Sequence, residues 1–154
     1  LSKRLDSNGR FVITGTQTGK YSELTSEHYS IVVGCYPKEN LVISEGPIEA
    51  SSESMTHGTI YNLDKSIKFV FHAHSPEIWN NTEELAIPTT GKEVPYGTPE
   101  MAEEIERLFA ETNVKNTKIL SMGGHEDGII SFGKTADEAG RNILEYFNRA
   151  IKCK

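Results

Sequence analysis

Two cysteines in 154 residues, Cys35 and Cys153, leave no material for a disulfide framework, and without a Cys-x-x-Cys spacing they offer no thiolate zinc site. Long apolar runs are missing too. No stretch reaches the roughly 20 residues that cross a bilayer, and the opening Leu1-Ser2-Lys3-Arg4-Leu5-Asp6 lacks the apolar centre of a signal peptide, so a cytoplasmic protein is expected. Positive charge is scarce: 16 Lys and Arg stand against 22 Asp and Glu, a net charge of -6. With no basic stripe to offset this, nucleic acid and anionic membrane surfaces are excluded as main partners, and any anionic ligand must be held locally. Repeats, low-complexity tracts and linkers are also absent. What remains, 36% hydrophobic and 25% charged, is enough for one core, so residues 1–154 are read as a single domain.

Strand signals come early in the chain and helix signals late. Phe11-Val12-Ile13-Thr14, Tyr29 to Cys35 and Asn40 to Ser44 are rich in β-branched and aromatic residues and read as a meander. Ser54 to Asn62 reads as a helix leading into a strand over residues 67–74, and Glu84-Leu85-Ala86-Ile87-Pro88 as a further short strand. Thr98-Pro99-Glu100 supplies a cap, a proline at the first helical position and an acid in the first turn of a helix that ends near Thr112. Thr117 to Met122 and Gly128 to Phe132 read as a strand pair, and Thr135-Ala136-Asp137-Glu138 opens a last helix.

The main chemical signal is His72-Ala73-His74 at the end of an apolar strand. Side chains two apart on a strand share a face, so both imidazoles can aim at one point, and neutral imidazole suits zinc and other divalent metals. His125, within Gly123-Gly124-His125-Glu126-Asp127-Gly128, is the best remote candidate for a third ligand. Taken alone, the pair is equally compatible with two ordinary histidines at a strand end. Ser51-Ser52-Glu53 precedes a helix and has two readings, a plain cap or a phosphate cradle with an acid/base beside it. Thr14-Gly15-Thr16-Gln17-Thr18-Gly19 either cradles an oxyanion or turns the chain. His57 and Tyr61, four apart, share a helix face and read as packing below the site. Trp79 reads as core, contact surface or cavity wall, and His28 has no assigned role.

The order of these motifs resembles the class II aldolase/adducin family over nearly the whole chain: residues 13–19, then Ser51-Ser52-Glu53 with His57 and Tyr61, then His72-Ala73-His74-Ser75, then His125 with Gly133-Lys134-Thr135. The resemblance implies a three-layer α/β domain with a mainly antiparallel sheet and helices on both faces. It implies His72, His74 and His125 as ligands of zinc or another divalent metal, Glu53 as the acid/base, and Thr18, Gly19, Ser51 and Ser52 as the binding site for a small phosphorylated sugar. A homotetramer is expected on the same ground.

The family's aldolases cleave ketose phosphates to dihydroxyacetone phosphate and an aldehyde, and Glu53, where related 4-epimerases tend to carry Asp, tilts the expectation to an aldolase. The other readings are a 4-epimerase of the same family and a non-catalytic adducin-like interaction domain. Three features depart from the family pattern. Ser2 matches the serine of its Gly-Asn-x-Ser motif, so the preceding helical segment is outside these residues. The His125 loop is two residues longer than usual, which leaves Asp127 as a rival for the ligand position. Glu93 stands where the aldolase has a tyrosine proton donor, with Tyr96 nearby.

Overall fold

The computed structural model describes residues 1–153. Seven strands form one antiparallel sheet in the order β4-β3-β2-β1-β5-β7-β6. In chain order they are β1 (Ser2–Arg4), β2 (Phe11–Thr14), β3 (Tyr29–Tyr36), β4 (Leu41–Glu45), β5 (Phe69–His74), β6 (Ile119–Ser121) and β7 (Gly128–Gly133). Five helices accompany them: α1 (Ser54–Leu63), α2 (Pro76–Trp79), α3 (Pro99–Glu111), α4 (Val114–Thr117) and α5 (Ala136–Ala150).

The two-residue alternation of the strands divides the apolar residues between two layers. Val70, Leu120, Ile130 and Phe132 face one core with Ile60 of α1 and Met101, Ile105 and Leu108 of α3. Ile119 and Ile129 face the other, under Ile78 of α2 and the α5 residues Ile143 and Phe147. Each fully buried Ile, Leu or Phe contributes on the order of 1.5–3 kcal/mol relative to exposure, so the two layers together fix the sheet register. Helix ends follow the sequence signals. Thr98 accepts a hydrogen bond from Met101 N (3.3 Å) ahead of Pro99, and Thr135 accepts from Glu138 N (3.1 Å) while Glu138 turns back to Lys134 N (2.6 Å).

One expectation fails locally, and one strand has no counterpart in the sequence reading. Glu84 to Pro88 is not a strand: residues 81–86 form turns, Ala86 adopts a positive φ of 54°, and the chain only touches the sheet through a single Thr89 to Ser121 bridge. Its alternating Leu85 and Ile87 are buried against α2 and α5, so the pattern reflects side-chain burial without strand pairing. Conversely, Ser2–Arg4 is a central strand joining β2 to β5, and three residues are too few to display a period. Arg4 anchors it. Its guanidinium donates to Ile67 O (2.9 Å), Tyr61 O and Asp64 O (3.1 Å), satisfying carbonyls at the end of α1, and lies 4.7 Å over the Tyr61 ring.

Candidate active site

Strand β5 carries His72 and His74 on one face, and its antiparallel register with β7 sets His74 opposite Gly128. The connection from β6 to β7 therefore returns beside the end of β5. Within it, His125 N donates to Met122 O (3.1 Å) and Gly128 N to His125 O (2.8 Å), while Ser75 N donates to Asp127 O (2.9 Å). Glycine is required here. A Cβ on Gly128 would lie 2.5 Å from Cδ2 of His125, and one on Gly124 would lie 2.0 Å from Val94 O. Trp79 pins the same loop by donating from its indole N–H to Met122 O (3.0 Å), which makes it a support of the loop.

The outcome is a cluster of three imidazoles. Ligand nitrogens of His72, His74 and His125 all lie within 4.8 Å of one another, and the Nε2 atoms of His72 and His74 are 3.2 Å apart. Two nitrogens bound at about 2.0–2.1 Å to one tetrahedral zinc would be roughly 3.3 Å apart, so the spacing fits a shared divalent ion. Electrostatics agree with the geometry. Burial, with His74 and His125 beside it, pushes the His72 imidazole down to about 3, and burial with His74 lowers His125, so both stay in the neutral form that ligates metal. His125 makes the cluster, and Asp127, at a positive φ of 62°, is used through its carbonyl instead.

These histidines line a cleft of about 770 Å³ together with the loop at residues 14–19, residues 51–53 and the buried His57. Thr18, Gly19, Ser51 and Ser52 thus border the same space. The Thr18 hydroxyl donates to Gly15 O (2.9 Å), so its proton is already used. Ser51 Oγ only accepts, from Glu53 N (3.3 Å), which leaves its proton free. The ten-residue α1 starts at this point, and Glu53 ahead of it and His57 within it line the cleft.

Glu53 occupies the N-cap position of α1 without making a side-chain cap. It is 3% exposed, and neither carboxylate oxygen has a hydrogen-bond partner among the described residues. Burial outweighs the opposing pull of the nearby Thr56 hydroxyl and pushes the carboxyl group up to about 7. A capping carboxylate is stabilised by backbone N–H groups in its charged form; this one is held beside a cleft in a form that can keep or release a proton near neutrality.

Three further features escape the local sequence signals. Tyr96, 48% exposed, stands in the cleft with its ring centroid 4.2 Å from that of His125, whereas Glu93 is exposed and outside the lining. Ser2, fully buried on β1, places Oγ 2.7 Å from Nδ1 of His57 and 2.8 Å from the Tyr61 hydroxyl. The spacing of His57 and Tyr61 hinted at a shared face, but nothing near Ser2 indicated that a strand would deliver it there. His28 accepts from Thr25 N (2.9 Å), a local turn contact.

A family model described as Class II Aldolase and Adducin N-terminal domain matches residues 1–153. The chain belongs to this family. No curated protein sequence matches it. Two solved structures share the family fold. An L-fuculose 1-phosphate aldolase superposes with a TM-score of 0.72 at 18% identity, over 98% of this chain and 71% of its own. YgbL of Klebsiella pneumoniae, provisionally described as an aldolase/epimerase/decarboxylase, gives 0.73 at 18% identity, over 99% and 75%. The class II aldolase/adducin fold places helices on both faces of an antiparallel sheet, as found here. Among the described residues no helix is long and apolar enough to cross a membrane.

Proposed function

We infer that this chain is a metal-dependent aldolase acting on a small phosphorylated ketose, with zinc as the favoured ion. The observation that carries the reading is the convergence of three imidazoles in a cleft that also holds a buried carboxyl group with no hydrogen-bond partner among the described residues. A purely adhesive domain gains nothing from either feature, since a buried unsatisfied polar group costs roughly 1–3 kcal/mol.

His72, His74 and His125 would hold the ion, which when bound supplies Lewis-acid stabilisation of negative charge on the substrate's oxygens. The free proton of Ser51, the hydroxyl of Ser52, backbone N–H groups at Thr18 and Gly19 and the first turn of α1 would hold the phosphate. Neutral donors can bind a dianion in a protein of net charge -6 only because they are close and oriented. When the bond between carbons 3 and 4 breaks, the hydroxyl on carbon 4 gives up its proton to solvent water and becomes the aldehyde oxygen, and the electron pair stays on carbon 3. Glu53 then delivers its proton to carbon 3, completing dihydroxyacetone phosphate, and takes it back in the condensation direction. Assembly as a homotetramer is part of the same proposal.

The direct test incubates zinc-loaded protein with a panel of ketose phosphates and assays triose phosphate. Triose phosphate release supports the aldolase. Inversion at carbon 4 without release would replace it by an epimerase, and stoichiometric metal without turnover on any member would remove the enzymatic reading.

A further inference from the structure

Thr56 is not explained by the needs of its helix. It is the third residue of α1 and 1% exposed, and its hydroxyl has no hydrogen-bond partner among the described residues. A helical threonine ordinarily turns its hydroxyl back to a carbonyl three or four residues earlier. Thr59 does so to Met55 O (3.0 Å), and Thr117 to Val114 O (3.3 Å). Thr56 makes no such bond to Glu53 O or Ser52 O, so its proton and its lone pairs are both free.

Beside that hydroxyl stands the Glu53 carboxyl group. Residues three apart on a helix are neighbours, and helical side chains lean towards the N-terminus, so Thr56 leans over the turn that begins at Glu53. Both carboxylate oxygens are buried without a partner, as the hydroxyl is. Other groups do not compete for them. None of the ion pairs among the described residues includes Glu53. The remaining titratable groups of the cleft are engaged elsewhere: His57 Nδ1 meets Ser2 Oγ at 2.7 Å, and the Leu1 amine donates to Thr14 Oγ1 (3.0 Å). His72, His74 and His125 converge on one another, while Tyr96 and Tyr21 pack on the rings of His125 and His28.

We propose that the Thr56 hydroxyl hydrogen-bonds the Glu53 carboxyl group and acts as its positioning residue, serving both of its proton states. A hydroxyl can donate and accept. It donates to the carboxylate when Glu53 has given up its proton, and turns to accept from the acid when Glu53 holds it. The carboxyl group keeps one orientation while its proton comes and goes, and the hydroxyl keeps its own proton throughout. Donation to the charged form also opposes burial, holding the carboxyl group at about 7 where burial alone would lift it further. The catalytic use of this bond rests on the reading of Glu53 as the acid/base, but the bond itself is read without turnover.

Carbon-13 NMR of the glutamate-labelled full chain follows the Glu53 carboxyl through a pH titration, with and without zinc, its resonance assigned by loss in Glu53→Gln. Thr56→Val keeps the branched shape and removes the hydroxyl, and should move the midpoint up by about one pH unit, a tenfold change in proton affinity. Thr56→Ser keeps the hydroxyl and should titrate near wild type. In turnover, Thr56→Val should lower kcat and carry its pH profile upward, with KM and zinc content little changed, and Thr56→Ser should recover both. A midpoint unmoved in a folded Thr56→Val, or moved equally in Thr56→Ser, would overturn the hydrogen bond. If Thr56→Val does not fold, Thr56→Ala, which removes the same hydroxyl in favour of a strong helix former, decides by the same midpoint. A midpoint that moves while the pH profile of kcat stays in place upholds the bond and overturns the acid/base reading of Glu53 instead.

Discussion

The Nε2 atoms of His72 and His74 stand 3.2 Å apart on one face of β5, with His125 brought against them from the β6–β7 connection. Two lone pairs at that separation repel unless a proton or a cation lies between them. We therefore expect one divalent ion per chain by elemental analysis after dialysis against zinc. His72→Ala, His74→Ala and His125→Ala should each weaken binding by more than the ~10–100-fold that follows loss of a partner outside the ligand set. Saturating metal at about 100 times its dissociation constant should stabilise the chain by about 2.7 kcal/mol, read as a rise in melting temperature absent from the alanine variants.

Glu53 has a pH signature in the metal-free chain. Its carboxyl group sits at about 7 in the folded protein, against an ordinary 4.5. Below about 4.5 both folded and unfolded chains hold the proton and the group is neutral to stability. Between 4.5 and 7 the unfolded chain releases it first, so stability falls as pH rises. Above 7 the cost is complete, on the order of 3 kcal/mol. Glu53→Gln should abolish that part of the slope, so that metal-free variant and wild type differ more at pH 8 than at pH 5 in thermal melts. A constant difference across that range would show that burial of Glu53 has been misread.

In turnover, Glu53→Gln keeps the ligand histidines and should retain zinc while losing ~10²–10⁴-fold in kcat. Loss of metal along with activity would instead place Glu53 among the groups that hold the ion.

Phosphate should depend on Ser51 more than on the Thr18 hydroxyl, because only Ser51 has an uncommitted proton. Ser51→Ala should weaken dihydroxyacetone phosphate by roughly 1.5–3 kcal/mol, at least about 10-fold, without altering zinc content. Thr18→Val should weaken it less. Phosphorus NMR titration measures both, and equal losses in the two variants would argue against the assignment.

Gly128→Ala tests the loop geometry. The added Cβ would sit 2.5 Å from the His125 ring and 2.9 Å from its carbonyl oxygen. Such overpacking costs about 1–3 kcal/mol, and relief by moving His125 should reduce zinc affinity in the same direction as His125→Ala. A variant that melts lower but binds zinc as tightly as wild type would mean that the loop relaxes elsewhere.

The sequence by itself determined the elements whose period and caps are long enough to show: the strands at Phe11, Tyr29, Leu41 and Phe69, and the capped helices after Thr98 and Thr135. It also determined that His72 and His74 share a face, since a strand's two-residue repeat leaves no alternative. Tertiary structure decided what depends on partners remote in the chain. Three residues at Ser2–Arg4 carry no visible period and became a strand because β2 and β5 offered hydrogen bonds on both sides. Leu85 and Ile87 alternate like a strand but found burial against α2 and α5 instead. The sequence favoured His125 with Asp127 as its rival in the longer loop, and it is the His125 ring that joins His72 and His74, because the β5–β7 register, Gly128 and the Trp79 bond to Met122 fix the loop. Ser51-Ser52-Glu53 was a cap by propensity; only the packing around it, which buries both carboxylate oxygens with no hydrogen-bond partner among the described residues, separated Glu53 from that role. Local patterns record which face a side chain occupies, whereas convergence of side chains from different elements is set by sheet register and packing, which no local window contains.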